Sequence, residues 1–195
     1  MIKSRFNTER ISIIIGSIFS KLGISPNTWT ILSIIPAIAG FLALYWHNIV
    51  IALPMFLISG VIDVIDGAVA RVTGSVTRIG GFLDGIIDRY VEILLYLGLL
   101  FYGVNEFWIC ILIFGAIMPT YIRAYSDHRN IVKDPKDQKR MGGILERAER
   151  LTLIYIGMFL GIFNLNLLTY SVIIAGILAN ITALQRLLFV ITYKR

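Results

Sequence analysis

Residues 49–71 read I-V-I-A-L-P-M-F-L-I-S-G-V-I-D-V-I-D-G-A-V-A-R. The first 14 of these, residues 49–62, carry no charge, and a helix crosses a bilayer with about 20 mostly apolar residues. The stretch therefore predicts a membrane-spanning helix. It also ends in Asp63, Asp66 and Arg71, and charge inside a span is costly enough to mark function by default.

The rest of the chain agrees with a membrane reading. Of 195 residues, 57% are hydrophobic and 15% charged, against about 45–50% and about 25% in soluble domains. The mean hydropathy is +0.79. That composition is a poor fit to a soluble enzyme, a disordered chain or a nucleic-acid-binding domain, despite the net charge of +6. Long continuous apolar runs argue against a β-barrel, whose segments are short and alternating. The expected fold is an all-α integral membrane protein, one domain over residues 1–195. Cys110, the single cysteine, lies in an apolar run and reads as a small buried hydrophobe. His47 and His128 are isolated near membrane edges and read as surface residues.

Six spans are expected, at about 26–46, 49–72, 79–102, 107–127, 145–163 and 167–192, making a bundle over residues 26–192. Before them, residues 1–24 place Ile11, Ile14, Ile15, Ile18, Phe19 and Leu22 on one helical face. That predicts an amphipathic helix lying in the membrane interface. No small-residue cleavage site follows it, and Lys21 interrupts the apolar stretch, which argues against a signal peptide. The 18 Lys and Arg residues all assign to one side. They include Lys3, Arg5, Arg10 and Lys21, a group around the long 128–144 loop, and Lys194 and Arg195. By the positive-inside rule both termini and the loop are cytoplasmic. The loop itself reads as a solvated, basic surface segment drawn to anionic lipid.

Four aspartates lie toward the cytoplasmic ends of spans 2 and 3. Asp63 and Asp66 are spaced i, i+3, and Asp84 and Asp88 are spaced i, i+4, so each pair shares a helix face. The short connection makes the two helices antiparallel neighbours. Four carboxylates in one pocket cannot all remain ionised without compensation. A proton relay is one solution, and hard divalent cations held by carboxylate oxygens are another. Two ions so held would suit phosphoryl chemistry. Gly67, Gly80, Gly81 and Gly85 leave room beside the aspartates, Arg71 is a good phosphate ligand, and Thr77 can donate a hydrogen bond.

Residues 63–88 read D-V-I-D-G-A-V-A-R, eight residues, then G-G-F-L-D-G-I-I-D. This resembles the CDP-alcohol phosphotransferase signature, D-x-x-D-G-x-x-A-R, eight residues, G-x-x-x-D-x-x-x-D, at every fixed position: Asp63, Asp66, Gly67, Ala70, Arg71, Gly80, Asp84 and Asp88. The resemblance implies that the four aspartates bind two Mg²⁺ or Mn²⁺ ions against the pyrophosphate of a CDP-linked donor. It implies that Asp88 is also the general base on the acceptor hydroxyl, with CMP as leaving group. It gives Pro26, Asn27, Thr28, Trp29, Asp66, Gly67, Ala70, Arg71 and Thr77 to the CDP moiety, and it implies a homodimer in the cytoplasmic membrane.

Arg123, Arg150 and Arg186 come from three further spans, each toward the cytoplasmic side. Together they could converge beside the metals into an anion pocket. The string Gly143-Ile144-Leu145-Glu146-Arg147-Ala148-Glu149-Arg150 resembles the G-[IF]-x-E-R-x-E-R of bacterial phosphatidylinositol-phosphate and archaeal archaetidylinositol-phosphate synthases. That resemblance implies an acceptor-phosphate site at these three arginines. It implies a CDP-lipid donor, either CDP-archaeol or CDP-diacylglycerol, and inositol phosphate as acceptor. Glycerol 3-phosphate as acceptor, or CDP-inositol as donor, remain alternatives within the family. An ion-coupled transporter is the alternative outside it, but it calls for paired broken helices and an internal repeat, and the sequence has neither. Glu92, one turn past Asp88, reads as an arginine partner.

Overall fold

The computed structural model describes residues 8–193. Among them every regular element is a helix. Lys3, Arg5, Lys194 and Arg195, and the first seven residues of the predicted interfacial helix, lie outside the described residues. The chain groups into two compact units, Met1–Gly98 and Leu99–Arg195.

The first unit begins with α1 (Thr8–Phe19) and a 3₁₀ turn. α2 (Pro26–Leu32) and α3 (Ile34–Tyr45) together fill the first predicted span. Ser25 caps α2 by accepting from the Thr28 amide at 3.2 Å, and Pro26 takes the first helical position, where a missing N–H costs nothing. The break after Leu32 lies four residues before Pro36. A proline ring clashes with the carbonyl four residues back and cannot donate to it. The Ser33 carbonyl at that break accepts from Ser59 Oγ at 2.7 Å, which ties the kink to α4 (Ile49–Thr73).

Asn48 caps α4 by accepting from the Ile51 amide at 3.1 Å. Gly74 stops the helix at φ 67°, a left-handed conformation that favours glycine. α5 (Arg78–Tyr102) follows after four residues, opened by Thr77 Oγ1 accepting from the Gly80 amide at 2.9 Å. Ala37, Leu44, Ala52, Phe56, Ala68 and Val69 make the core of this unit. The Phe56 ring occupies the space that a Gly40 side chain would need.

α1 lies across α4. A Cβ at Gly16 would come within 2.4 Å of the Ala68 carbonyl oxygen, so the two backbones meet where neither carries bulk. The face that α1 turns to the protein carries Ser12, Ile15, Gly16 and Phe19, all less exposed than the other residues between 10 and 19. Ile11, Ile14, Ile18 and Leu22 from the predicted apolar stripe are 52–60% exposed.

In the second unit, α6 (Glu106–His128), α8 (Arg147–Gly161) and α9 (Leu165–Thr192) pack around Leu112, Ile154, Met158, Leu168, Val172 and Ala179. Gly115 admits Ala179 and Asn180 of α9, and Gly157 admits Ser171. Asn180 Nδ2 donates to the Ile111 carbonyl at 2.9 Å, so a polar side chain serves as a helix–helix contact.

The 128–144 loop is more ordered than its charge suggests. It carries a short helix, α7 (Pro135–Arg140), capped by Asp134 accepting from the Lys136 amide at 2.8 Å. Val132 and Met141 are fully buried. Two apolar anchors within a charged segment thus dock it.

Helices occupy all six predicted span positions. Four of them are long and apolar enough to cross a membrane: Pro26–Tyr45, Ile49–Thr73, Glu106–His128 and Leu165–Thr192. α5 has 25 residues, but Arg78, Asp84, Asp88, Arg89 and Glu92 are spread through its N-terminal part. α8 has only 15 residues, roughly 22 Å at 1.5 Å per residue.

Candidate functional site: a carboxylate cluster and its cavity

Three of the four predicted aspartates come together. Asp63, Asp66 and Asp84 each offer a carboxylate oxygen within 4.8 Å of the other two. Asp66 is 5% exposed, and Asp63 and Asp84 are half-buried. The i, i+3 spacing on α4 and the four-residue connection to α5 produce this meeting. Asp88 lies outside the three-residue cluster, one turn further along α5 and half-buried. The donor set is all carboxylate oxygen, with no His or Cys in the cluster. That set fits a hard divalent cation, because converging carboxylates repel each other until a cation lies between them.

Beside the cluster is a cavity of about 380 Å³ lined by Pro26, Asn27, Thr30, Asp66, Gly67, Ala70, Arg71, Ser75, Val76, Thr77, Gly80, Gly81 and Asp84. Seven of the nine residues predicted for the CDP moiety line it: Pro26, Asn27, Asp66, Gly67, Ala70, Arg71 and Thr77. The other two do not. Thr28 Oγ1 is hydrogen-bonded to Ser25 Oγ at 2.7 Å, and the Trp29 ring meets Phe19 edge-on at 5.6 Å. Both serve the join between α2 and the N-terminal segment.

The Arg71 guanidinium lies over Gly67, where a Cβ would sit 3.2 Å from its Nη1. Its Nε donates to Ser12 Oγ of α1 at 3.0 Å. Thr30 was not foreseen. It is 3% exposed, and its hydroxyl donates to Asp66. The signal was present, since Thr30 follows Pro26 by one helical turn and so shares its face. A lone threonine in an apolar run does not announce itself.

Glu92 meets its predicted arginine partner. Arg89 Nη1 lies 2.6 Å from Glu92 Oε2, and the Tyr96 hydroxyl donates to Glu92 Oε1 at 2.6 Å. Glu92 is 2% exposed and Tyr96 fully buried.

In the second unit Arg186 is 7% exposed and Arg150 is 3% exposed. Arg186 lies within electrostatic range of Arg123, Arg150 and Glu146, so the three predicted arginines do gather. Arg186 Nη1 donates to the Pro119 carbonyl at 2.9 Å. The Arg186 Nη2 is 3.8 Å from Glu146 Oε1. Arg123 Nη2 donates to the Met141 carbonyl at 3.3 Å. The buried Nε of Arg123 and of Arg186 have no hydrogen-bond partner among the described residues. A buried donor without an acceptor is costly. Three arginines gathered beside Glu146, which is 3.8 Å from Arg186, suit an anion.

A family model described as CDP-alcohol phosphatidyltransferase matches residues 23–191. The chain is 30% identical over 185 residues to the archaetidylinositol phosphate synthase of Aeropyrum pernix, covering 95% of this chain and 92% of that protein. It is similar to the crystal structure of Mycobacterium tuberculosis phosphatidylinositol phosphate synthase with CDP-DAG bound. The TM-score is 0.80, with 26% identity over 94% of each chain. The same enzyme in complex with manganese and citrate gives a TM-score of 0.80 at 25% identity, over 93% of this chain and 89% of that one.

Proposed function

The chain belongs to the CDP-alcohol phosphatidyltransferase family, and from that premise we propose that it transfers the lipid-phosphate group of a CDP-lipid to inositol phosphate and releases CMP. The observation that carries this reading is the carboxylate triad opening onto a cavity lined by Arg71 and Gly67.

Asp63, Asp66, Asp84 and Asp88 would hold two Mg²⁺ or Mn²⁺ ions, which when bound offset the charge of the donor's pyrophosphate. The protein's own residues supply the rest. Pro26, Asn27, Gly67, Ala70, Arg71 and Thr77 bind the CDP moiety, with Arg71 as a charge-assisted donor to phosphate. Thr28 and Trp29 act indirectly, by holding the start of α2 that carries Pro26 and Asn27. The Asp88 carboxylate takes the proton of the acceptor hydroxyl. The hydroxyl oxygen bonds to the donor's β-phosphorus, the bond from that phosphorus to the bridging oxygen breaks, and CMP departs with that oxygen. The acceptor's own phosphate is held by Arg123, Arg150 and Arg186.

In this reading residues 1–195 form one membrane domain of six spans with an interfacial N-terminal helix, α5 and α8 being the two additional spans. It works as a homodimer in the cytoplasmic membrane, termini and site on the cytoplasmic side. The one-sided distribution of Lys and Arg supports the orientation. The exposed isoleucines of α1 support the interfacial placement.

The test is an assay in membranes with labelled CDP-lipid, Mg²⁺ or Mn²⁺ and a panel of alcohols. CMP release is expected with inositol phosphate. Release with glycerol 3-phosphate alone would move the acceptor to the other phosphate-bearing alcohol, and no release with any alcohol would sink the enzyme reading.

A further inference from the structure

α1 has two faces with different surroundings. Ile11, Ile14 and Ile18 are more than half exposed, which suits a bilayer surface. Ser12 and Gly16, one turn apart, face α4 instead. Gly16 sits against Ala68 and Val72, with no space for a Cβ, so the helix has a narrow choice of register there. Ser12 is then delivered to Arg71, whose Nε donates to its Oγ at 3.0 Å.

This hydrogen bond is the only one that the Arg71 side chain makes among the described residues. A guanidinium is planar and rigid, with its five N–H groups in one fork. Fixing the direction of Nε–H therefore fixes where the four terminal N–H groups point. With the Nε edge on Ser12 and Nη1 over Gly67, that terminal edge lines the cavity beside Asp66 and Asp84. An exposed arginine on a helix end would otherwise sample many rotamers, and ordering it on binding would cost affinity.

We propose that Ser12 is a positioning residue for the donor, so that α1 is part of the nucleotide-diphosphate pocket as well as a contact with the bilayer surface. The inference rests on the donor-site reading of Arg71. A role in anchorage alone assigns nothing to Ser12, because its hydroxyl points away from the exposed isoleucines.

The experiment measures CDP-diacylglycerol binding to purified full-length protein in detergent with Mg²⁺, and the KM of each substrate in turnover. The proteins are wild type, Ser12→Ala and Ser12→Thr. Ser12→Ala is expected to weaken donor binding and raise the donor KM about 3- to 10-fold, the range for one hydrogen bond of ordinary net strength. The acceptor KM should stay unchanged, and Ser12→Thr, which keeps the hydroxyl, should restore the donor values. Donor binding by wild type and Ser12→Ala with equal affinity overturns the inference and leaves the donor site standing. An equal rise in both KM values also overturns it, since that is what a loosened fold would give. No donor binding by wild type would overturn the donor-site reading and this inference with it.

Discussion

Thr30 Oγ1 lies 2.5 Å from Asp66 Oδ2, both side chains being buried. The same hydroxyl is 3.1 Å from the Pro26 carbonyl, but it has one proton, and the carboxylate is both nearer and charged. The bond holds Asp66 in one rotamer, leaving an oxygen for the cluster with Asp63 and Asp84. Thr30→Val keeps the shape and removes the donor. Mn²⁺ binding, followed by the loss of free-ion electron paramagnetic resonance signal, should weaken about tenfold, the scale of about 1–1.5 kcal/mol for one such bond. Thr30→Ser should bind as wild type does. Equal Mn²⁺ affinity in Thr30→Val would remove Thr30 from the site.

The separation of Asp88 from the three-residue cluster predicts a division of labour. Asp88→Asn should still bind CDP-lipid while CMP release falls about 10²- to 10⁴-fold, the range for losing a positioned base. Asp63→Asn should weaken Mn²⁺ binding itself. Both variants are read by direct donor and metal titration alongside single-turnover CMP release. Turnover near wild type in Asp88→Asn would take the base role from it.

Arg186 is engaged as a fork, with Nη1 on the Pro119 carbonyl and Nη2 toward Glu146. A lysine cannot reproduce that geometry. Arg186→Ala and Arg186→Lys should both raise the KM for inositol phosphate about 10- to 100-fold, the scale of a charge-assisted phosphate contact, with a smaller change for the CDP-lipid. A similar loss on both substrates would show a folding defect, and an unchanged acceptor KM would sever these arginines from the acceptor.

Much of this could be read along the chain because the relevant contacts are local. Apolar runs located helices at all six expected positions, and the i, i+3 spacing on α4 with a four-residue connection to α5 was enough to converge Asp63, Asp66 and Asp84. What periodicity does not carry is which face of a helix meets which neighbour. The apolar stripe of α1 pointed to the bilayer, while its docking depended on Gly16 fitting Ala68. Thr28 and Trp29 stood beside Asn27 in sequence, yet a helix turns each of them about 100° from the one before, away from the cavity. The order of the 128–144 loop rests on Val132 and Met141, two buried apolar residues among charges, and two isolated residues make no periodic pattern. The shortfall in crossing helices has a simple cause: α5 keeps the charges the site requires, and α8 is short.

That loop is also tied to the end of α9, where the Tyr193 hydroxyl donates to Asp137 Oδ2 at 2.7 Å. The bond holds the Asp137 carboxyl below its ordinary value of 3.8, helped by Arg140, and holds the Tyr193 phenol above its ordinary value of 10.0. For a depressed carboxyl, the contribution to stability is present above the unfolded pKa and is lost as pH falls through the folded one. For a raised phenol, it is present below the unfolded pKa and is lost as pH rises through the folded one. The latch should therefore be closed throughout the neutral range and open at both extremes. Tyr193→Phe removes the bond from the end of α9 to Asp137 at any pH, so cleavage within residues 128–144 by a neutral protease should quicken in that variant. The near-ultraviolet difference spectrum between wild type and Tyr193→Phe isolates one phenol and should titrate with a midpoint above 10.0. A midpoint at or below that value would mean that Asp137 does not hold the tyrosine in solution.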